Sequence, residues 1–224
     1  MSAEDHKRKA GERAAEYVED GMVLGLGTGS TTYYAIQAIG RLVKWGYRLE
    51  GIPTSRNTEE LARDLAIPLT SLEEVESIDL TIDGADEVDP SFRLIKGMGG
   101  ALLREKIVAA ASREEIIVVD GSKMVSRLGT RSPLPVEVVP FGHARTADRL
   151  EALGCRPALR GDPFITDGGN YIYDCRFDAI QDPEGLEREI DLIPGVVENG
   201  IFLGTATRLV VGSEEGVEVL ERPR

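Results

Sequence analysis

The sequence predicts an α/β protein built on a parallel β-sheet, with a second, smaller domain. In the first 125 residues, short runs rich in β-branched residues, such as 22–27 and 115–120, alternate with amphipathic segments. That alternation is typical of a parallel sheet with helices on both faces. After a stretch dense in proline and glycine, 127–142, the predicted order becomes βαββαβ. The expected architecture is therefore a Rossmann-like domain with a smaller ferredoxin-like α+β domain.

The elements of the first part follow from hydrophobic periodicity and from the residues that end each segment. The first predicted helix stops at Gly21, and the third stops before Pro68. The predicted helices are 4–19, 31–44, 57–66 and 100–112. The predicted strands are 22–27, 48–54, 77–83, 92–97 and 115–120.

The second part is predicted to form one split βαβ unit. Its strands are 136–139, 156–160, 170–176 and 196–202, and its helices are 144–153 and 183–191. A last strand, 208–212, and a short helix after it are expected to rejoin the first sheet. The predicted boundaries are 1–128 together with 205–224 for the Rossmann-like catalytic domain, and 129–204 for the small domain.

Composition and charge exclude several classes of protein. With 42% hydrophobic and 29% charged residues, the chain resembles an ordinary globular protein and not a disordered one. A net charge of −13 argues against nucleic-acid binding. No apolar run approaches the roughly 18 residues of a membrane span, and the N-terminal residues lack the apolar region of a signal peptide. We therefore expect a cytoplasmic protein with no membrane or nucleic-acid partner.

The cysteines and histidines do not form a recognisable metal-binding pattern. Cys155 and Cys175 stand apart, without a CxxC motif or a neighbouring histidine, and buried thiols are favoured over a disulfide or a metal site. His6 and His143 are isolated and are predicted to be surface residues. The sequence thus offers no ligand cluster for a metal.

The segment "GLGTGSTT", Gly25–Thr32, joins a predicted strand to a predicted helix. Its glycines allow close backbone approach, and the helix N-terminus offers unpaired N–H groups to a phosphate. Ser30 replaces the last glycine of the dinucleotide fingerprint, and no G-K-[ST] follows, so neither nucleotide motif is present. The alternative is a plain strand–helix turn with a Ser/Thr cap.

The segment "TIDGADEVDPSF" places four carboxylates after a predicted strand. Ligands of open α/β sheets bind outside the carboxyl ends of the strands, where Asp83 and Asp86 are expected to lie. These two are predicted to be functional. For Glu87 and Asp89 we favour solvated carboxylates of an acidic loop.

The segment "KGMGGALLREK" runs from Lys96 to Lys106 and combines a lysine, a glycine-rich turn and a helix start. At helical spacing, Glu105 shares a face with small apolar residues, so its carboxylate is expected to be desolvated and to suit a general base. The alternative is an ion pair with Arg104 or Lys106. A further strand ends in "VVDGSK", where Lys123 is either a ligand-binding residue or an exposed lysine in a turn.

The ordered motifs "GLGTGST", "DGADE", "KGMGGALLREK" and "DGSK" resemble those of ribose-5-phosphate isomerase, type A. The resemblance is close over the first 125 residues. It implies an aldose–ketose isomerase that interconverts D-ribose 5-phosphate and D-ribulose 5-phosphate through an enediolate, a step of the non-oxidative pentose phosphate pathway. It implies no metal or redox cofactor, and a homodimer or homotetramer.

The resemblance also implies a set of site residues. Glu105 is the implied base, Asp83 or Asp86 assists ring opening, and Lys96 stabilises the developing oxygen charge. The implied substrate-binding residues are Thr28, Gly29, Ser30, Thr31, Asp83, Gly84, Ala85, Asp86, Lys96, Gly97, Met98, Gly99 and Lys123. Lys7 matches a basic residue near the phosphate more loosely. Met98 stands where the family often has glycine, so we expect backbone contact at most at that position.

Two other classes remain to be weighed against the isomerase. A sugar-phosphate-binding regulatory domain could share the fold and the phosphate loop, but it would normally carry a DNA-binding segment. A CoA-transferase-like relative could use a glutamate near a glycine turn, but it would not explain the lysines and the acidic turn together. Conversion of ribose 5-phosphate without added cofactor would distinguish these classes.

Overall fold

The computed structural model describes residues 2–222. The helices are α1 (Ala3–Ala15), α2 (Thr32–Lys44), α3 (Arg56–Asp64), α4 (Leu102–Ala110), α5 (His143–Glu151) and α6 (Pro183–Asp191). The first strands are β1 (Val23–Leu26), β2 (Glu50–Pro53), β3 (Ile78–Asp83), β4 (Glu87–Val88), β5 (Leu94–Ile95), β6 (Ser112–Asp120) and β7 (Leu134–Val138). The later strands are β8 (Arg156–Leu159), β9 (Tyr171–Arg176), β10 (Val196–Asn199), β11 (Ile201–Phe202), β12 (Arg208–Ser213) and β13 (Gly216–Glu221).

The chain divides into two compact units. The first contains the residues up to Ala85, then Arg104–Lys123, and the residues from Gly204 onward. The second contains Asp86–Leu103 and Met124–Leu203. Met1 and the last two residues of the predicted 205–224 segment lie outside the described part of the chain.

The first unit is built on a six-stranded sheet in the order β13-β12-β6-β3-β1-β2. All neighbours are parallel except β12 and β13, which are antiparallel. Numbered along the chain, the five parallel strands have the order 2-1-3-4-5 of a doubly wound fold, whose switch point lies between β1 and β3. The predicted parallel sheet is therefore confirmed.

Small residues bring α1 close to the start of α2. Ala10 and Ala14 are fully buried, and a Cβ atom on Gly11 would lie 2.7 Å from the backbone nitrogen of Ala35. Only a residue without a side chain allows this approach, which sets the third turn of α1 beside the first turn of α2. Both helices pack on the β1 and β3 residues Leu24, Leu26 and Ile82.

The second unit contains a four-stranded antiparallel sheet in the order β10-β7-β9-β8. Within that sheet the strands have the order 4-1-3-2 along the chain, with α5 and α6 as the two crossovers, which is the predicted ferredoxin-like arrangement. Its core includes Leu134, Val136, Leu150 and Ile190. A smaller sheet, β11-β5-β4, belongs to the same unit.

Cys155 and Cys175 are buried, free thiols, as the sequence predicts. The hydrogen bond with Cys155, together with burial, holds the pKa of the Cys175 thiol well above its ordinary value. Within residues 2–222, no helix has the length and apolar composition needed to cross a membrane.

Three predicted elements are wrong in detail. The helix expected after 212 is strand β13, whose half-buried Val217 and Val219 alternate with exposed Glu218, a period of two. The single strand 196–202 is split, because β10 pairs with β7 whereas β11 pairs with β5. The two-residue strand β4 was not predicted, since so short a segment carries no periodic signal.

Candidate active site

Asp83 is the last residue of β3, and its side chain is hydrogen-bonded to the loop after β1 at the switch point of the parallel sheet. Its side chain is fully buried, and its Oδ1 atom accepts the backbone N–H groups of Thr28 at 3.0 Å and of Gly84 at 2.7 Å. A Cβ atom on Gly27 would lie 2.2 Å from that oxygen, so glycine is required there. One oxygen of Asp83 thus sets the start of the loop after β1.

The side chain of Thr28 enters a cluster of hydroxyl groups. Its Oγ1 atom lies 2.8 Å from both Thr54 Oγ1 and Ser55 Oγ, and 3.1 Å from Thr58 Oγ1. Ser55 Oγ donates to Thr58 Oγ1 at 3.0 Å, and Thr58 Oγ1 donates to the carbonyl oxygen of Gly27 at 2.9 Å. A ring of hydrogen bonds therefore runs from the Thr28 side chain back to the preceding carbonyl group.

This hydroxyl cluster, which consists of Thr28, Thr54, Ser55 and Thr58, was not predicted from the sequence. Ser55 is the N-cap of α3 and accepts the backbone N–H of Thr58 at 3.1 Å. That cap is visible in the sequence as a serine before a helix. Its contact with the loop after β1 joins positions about thirty residues apart, and no local pattern shows it.

The predicted phosphate loop continues from Thr28 through Gly29 and Ser30 to Thr31. Gly29 has φ +136°, a conformation that favours glycine. Lys7 on α1 donates from Nζ to Ser30 Oγ at 3.0 Å. The side chain of Thr31, the cap residue of α2, makes no capping hydrogen bond, in contrast to the plain-turn alternative. Lysine, serine and a helix N-terminus therefore meet on this loop.

A cavity of about 500 Å³ in the first unit is lined by Lys7 and Lys123 together with Asp120. Asp120 ends β6, and its Oδ1 atom accepts the backbone N–H of Ser122 at 2.9 Å and also the Ser122 hydroxyl. That turn holds the half-buried Lys123 at the carboxyl end of the sheet. Glu214 also lines this cavity, so two ammonium groups and two carboxylates share it.

The two histidines, which were predicted to be surface residues, are half-buried. His6 lines the same cavity, and its backbone packs so closely on Gly212 that a Cβ atom there would lie 2.2 Å from the His6 carbonyl oxygen. His143 has its Nδ1 atom 2.8 Å from the hydroxyl of Tyr173.

Glu105 lies on α4 and exposes only 3% of its surface. Leu102, Val108 and Ala109, which share its face at helical spacing, are buried as well. The expected desolvated setting of this carboxylate is therefore observed, and burial generally disfavours the charged form of a carboxyl group.

Asp86 and the Lys96–Gly99 segment belong to the second unit. Asp86 accepts the backbone N–H of Met98 on Oδ2 at 3.0 Å. Lys96 exposes 2% of its surface, and its Nζ atom lies 5.3 Å from the ring centre of Phe202. Gly97 has φ +102°, so a side chain there would strain the backbone. The acidic turn and the glycine-rich turn are thus hydrogen-bonded to each other, through the main chain at Met98.

The prediction that Glu87 and Asp89 are solvated carboxylates is wrong, because both residues are buried. Glu87 accepts three backbone N–H groups, those of Gly129, Arg131 and Ser132, each at 2.6 Å. Asp89 accepts the backbone N–H groups of Ser91 and Arg93 and pairs with the Arg93 side chain at 2.7 Å. Both carboxylates satisfy buried donors and so have structural roles.

Known proteins match this chain over nearly its whole length. The family model for ribose 5-phosphate isomerase A (phosphoriboisomerase A) matches residues 50–216. A ribose-5-phosphate isomerase A from Parvibaculum lavamentivorans is 49% identical over 99% of this chain and 100% of its own. The chain belongs to the ribose 5-phosphate isomerase A family.

Solved structures of the family agree with this assignment. Ribose 5-phosphate isomerase A from Methanocaldococcus jannaschii superimposes with a TM-score of 0.94 at 43% identity, covering 98% of this chain and 100% of that one. A D-ribose-5-phosphate isomerase solved in complex with phospho-erythronic acid superimposes with a TM-score of 0.96 at 43% identity. The match covers 99% of this chain and 100% of that one. The predicted fold class and family are confirmed.

As a member of the family, the chain interconverts ribose 5-phosphate and ribulose 5-phosphate. This reaction moves a proton between C2 and C1 of a sugar phosphate, so it needs a base, a site for the phosphate and groups that stabilise a charged oxygen. Among residues 2–222, no group of three or more His, Cys, Asp or Glu side chains could hold a metal ion.

Proposed function

We propose that Glu105 is the general base of the isomerisation. In the ring-opened aldose, its carboxylate removes the proton from C2, and the electrons of that bond form the C1–C2 double bond of an enediolate. As that double bond forms, the π electrons of the C1 carbonyl group move onto the C1 oxygen. The proton of the C2 hydroxyl group then passes to the C1 oxygen, the protonated carboxyl group of Glu105 returns its proton to C1, and the C2–O bond becomes the carbonyl group of the ketose. The burial of Glu105 on the apolar face of α4 carries this proposal, because desolvation increases the basicity of a carboxylate.

The 5-phosphate is held by the loop after β1 and by two lysines. The hydroxyl groups of Ser30 and Thr31 and the N–H groups at the N-terminus of α2 donate hydrogen bonds to the phosphate. Lys7 and Lys123 supply positive charge. The hydrogen bond from Lys7 to Ser30 and the cavity shared by the two lysines support this role. Thr28 and Gly29 give the loop its shape.

The acidic and glycine-rich turns act on the sugar hydroxyls and on the reacting oxygens. Asp83 or Asp86 assists ring opening and binds hydroxyl groups, with Gly84 and Ala85 as main-chain neighbours. Lys96 stabilises the negative charge that develops on the enediolate oxygen, and the N–H group of Gly99 in the adjoining turn assists it. The nearly complete burial of Lys96 supports this role, because a buried ammonium requires anionic or dipolar neighbours.

Replacement of Glu105 by glutamine tests the assignment of the base. Glu105→Gln should lower kcat by roughly 10²–10⁴ or more, which is the usual contribution of a general base. Because the amide preserves the shape of the site, inhibition by phospho-erythronic acid should persist. Deuterium incorporation from D₂O into the sugar, measured by NMR, should fall in parallel with kcat.

Glu115→Gln is a matched control, since Glu115 is another carboxylate of the first unit that exposes only 1% of its surface. That variant should keep wild-type kcat. A Glu105→Gln enzyme with more than about a tenth of the wild-type kcat would show that a different residue moves the proton.

We also propose that the protein is cytoplasmic and forms a homodimer or homotetramer. The free thiols Cys155 and Cys175 fit a reducing compartment. The oligomeric state is the one that the family resemblance implies, and Trp45, Phe141 and Leu192, which expose 75%, 94% and 81% of their surface, are candidates for contacts between copies. Light scattering coupled to size-exclusion chromatography would measure the assembly, and a monomer at micromolar concentration would contradict it.

A further inference from the structure

We propose that Arg160 is a positioning residue for the reaction, acting through the main chain of the Lys96–Gly99 turn. Arg160 follows β8 and belongs to the second unit, as the turn does. The inference rests on the proposed role of this turn in stabilising the enediolate oxygen. Neither the motifs nor the family match assigns Arg160 a role.

The guanidinium group of Arg160 bonds to two consecutive carbonyl groups of the turn. Its Nη1 atom lies 3.0 Å from the carbonyl oxygen of Gly97 and 3.2 Å from that of Met98. These distances allow one N–H group of the guanidinium to bridge both oxygens, or two N–H groups to serve one oxygen each. The carbonyl oxygen of Gly97 also accepts the backbone N–H of Gly100 at 3.0 Å, so the guanidinium adds a second donor there and links this oxygen to the carbonyl oxygen of Met98.

The side chain of Arg160 is itself held in place by the carboxylate of Asp174. Its Nε atom donates to Asp174 Oδ2 at 2.9 Å, and Nη2 donates to the other oxygen of the same group. The backbone N–H of Arg160 donates to the carbonyl oxygen of Ile172 at 2.9 Å, which continues the β8–β9 pairing. With side-chain exposures of 15% for Arg160 and 21% for Asp174, this two-point pair is shielded from most solvent.

The carbonyl contacts determine where the N–H groups of the turn point. In a trans peptide the C=O and N–H bonds point in opposite directions. The Gly97–Met98 peptide is held at both ends, since Asp86 accepts the Met98 N–H at 3.0 Å. In the next peptide, the bond from Arg160 to the Met98 carbonyl directs the Gly99 N–H away from the guanidinium. A cation on the carbonyl also polarises the peptide and strengthens its N–H as a donor.

The conformation of the turn requires such support. Gly97 and Gly100 have φ values of +102° and +82°, in the region that glycine populates freely. A Cβ atom on Gly100 would lie 2.5 Å from the ring of Phe164, so that ring packs directly on the turn. The guanidinium of Arg160 lies 5.9 Å from the centre of the same ring. Arg160 and Phe164 thus add side-chain contacts to a turn that the main-chain hydrogen bond from Gly100 to Gly97 closes.

The expected effect is on the transition state more than on the bound substrate. If Arg160 directs N–H groups toward the charge that develops on the enediolate, its loss should lower kcat and leave KM nearly unchanged. A residue that merely stabilises the fold would lower the amount of active enzyme and alter neither parameter per folded molecule. The ratio of the two effects separates these roles.

The experiment compares Arg160→Met and Arg160→Lys in the full-length protein. Arg160→Met should lower kcat by about ten- to a hundredfold while KM changes by less than about threefold. Arg160→Lys should recover part of kcat, because an ammonium can still donate to one carbonyl but cannot pair with Asp174 at two points. Competitive inhibition by inorganic phosphate should stay at the wild-type level in both variants, since the proposed phosphate loop is in the first unit.

Arg93→Met is the matched control, because Arg93 is also a partly buried arginine of the second unit that pairs with a buried carboxylate, Asp89. Its kcat per folded molecule should equal that of the wild type. The inference is overturned if Arg160→Met lowers kcat no more than Arg93→Met does while Lys96→Met is strongly impaired. If Arg160→Met fails to fold, Arg160→Lys decides alone: wild-type kcat overturns the inference, and a lowered kcat at constant KM supports it.

Lys96→Met distinguishes failure of this inference from failure of the proposed function. If the Lys96→Met enzyme keeps the wild-type kcat, the turn has no role in stabilising the enediolate oxygen, and the inference about Arg160 is overturned as well. A Lys96→Met enzyme with lowered kcat, beside an unaffected Arg160→Met enzyme, overturns the inference alone.

Discussion

At the level of single residues, four carboxylates that are neighbours in sequence all accept main-chain N–H groups, but these donors belong to different parts of the fold. Asp83 binds the main chain at the switch point, and Asp86 binds the glycine-rich turn. Glu87 and Asp89 bind main-chain donors of turns. Charge density alone does not distinguish the two pairs, because the distinction depends on which donors the fold brings to each carboxylate.

Glu87→Gln should destabilise the protein without altering its chemistry. The buried carboxylate accepts three N–H groups, and an amide would direct its own NH₂ group at some of them. We expect a loss of roughly 2–4 kcal/mol in the free energy of unfolding, measured by urea denaturation. Glu73→Gln, an exposed control, should change it by less than about 0.5 kcal/mol. A Glu87→Gln protein as stable as the control would contradict the structural role.

Substitutions of Lys96 and of the phosphate loop should alter different kinetic parameters. Charge on the enediolate oxygen exists mainly in the transition state, so Lys96→Met should lower kcat more than it raises KM. The phosphate keeps its charge throughout, so the double variant Ser30→Ala with Thr31→Val should chiefly raise KM. Steady-state kinetics measure both parameters. The two roles are reversed if the loop variant keeps its KM and Lys96→Met loses only substrate affinity.

At the scale of elements, the loop after β1 depends on the N-terminus of α3. The hydroxyl cluster ties the loop to the cap of that helix, and Asp83 ties it to β3. A helix that contributes no predicted ligand thus fixes the phosphate loop, because loops carrying glycine need external contacts to keep one conformation.

Thr58→Val should raise KM by about fivefold with little change in kcat, since it breaks the ring of hydrogen bonds but preserves the shape of the side chain. Thr58→Ser, which retains the hydroxyl group, should restore KM. Thr146→Val is the matched control, because it removes another buried threonine hydroxyl that donates to a carbonyl, that of Pro194 at 3.3 Å. Equal KM values for Thr58→Val and Thr146→Val would show that the ring does not position the loop.

At the scale of the whole molecule, the motifs alternate between the two compact units. The chain leaves the first unit after Ala85, returns at Arg104, leaves again after Lys123 and returns at Gly204. Asp83 and Asp86 therefore fall in different units although they are three residues apart. Each unit nevertheless has its own sheet and its own hydrophobic core.

Isomerase activity should persist in EDTA. The proposed mechanism uses a carboxylate, lysines and main-chain N–H groups, and the residues described include no cluster of metal-ligating side chains. Purified protein dialysed against EDTA should interconvert ribose 5-phosphate and ribulose 5-phosphate at the untreated rate. Activity that returns only on addition of a divalent ion would contradict the mechanism.

The parallel sheet, the βαββαβ unit, the family and the positions of the motifs could all be predicted from the sequence. Those features depend on local periodicity and on short runs such as "GLGTGST" and "KGMGGALLREK", which the printed chain shows directly. The burial of Glu105 also followed from spacing along one helix.

The residues that hold the motifs in place are visible only in the folded protein. Thr58 contacts Thr28 across thirty positions, Glu87 binds main-chain donors more than forty residues away, and Arg160 reaches Met98 across 62. Strand β13 likewise forms because β12 offers it a partner edge. Such contacts arise when separate elements pack together, and a hydrogen bond between distant residues leaves no periodic signal in the chain.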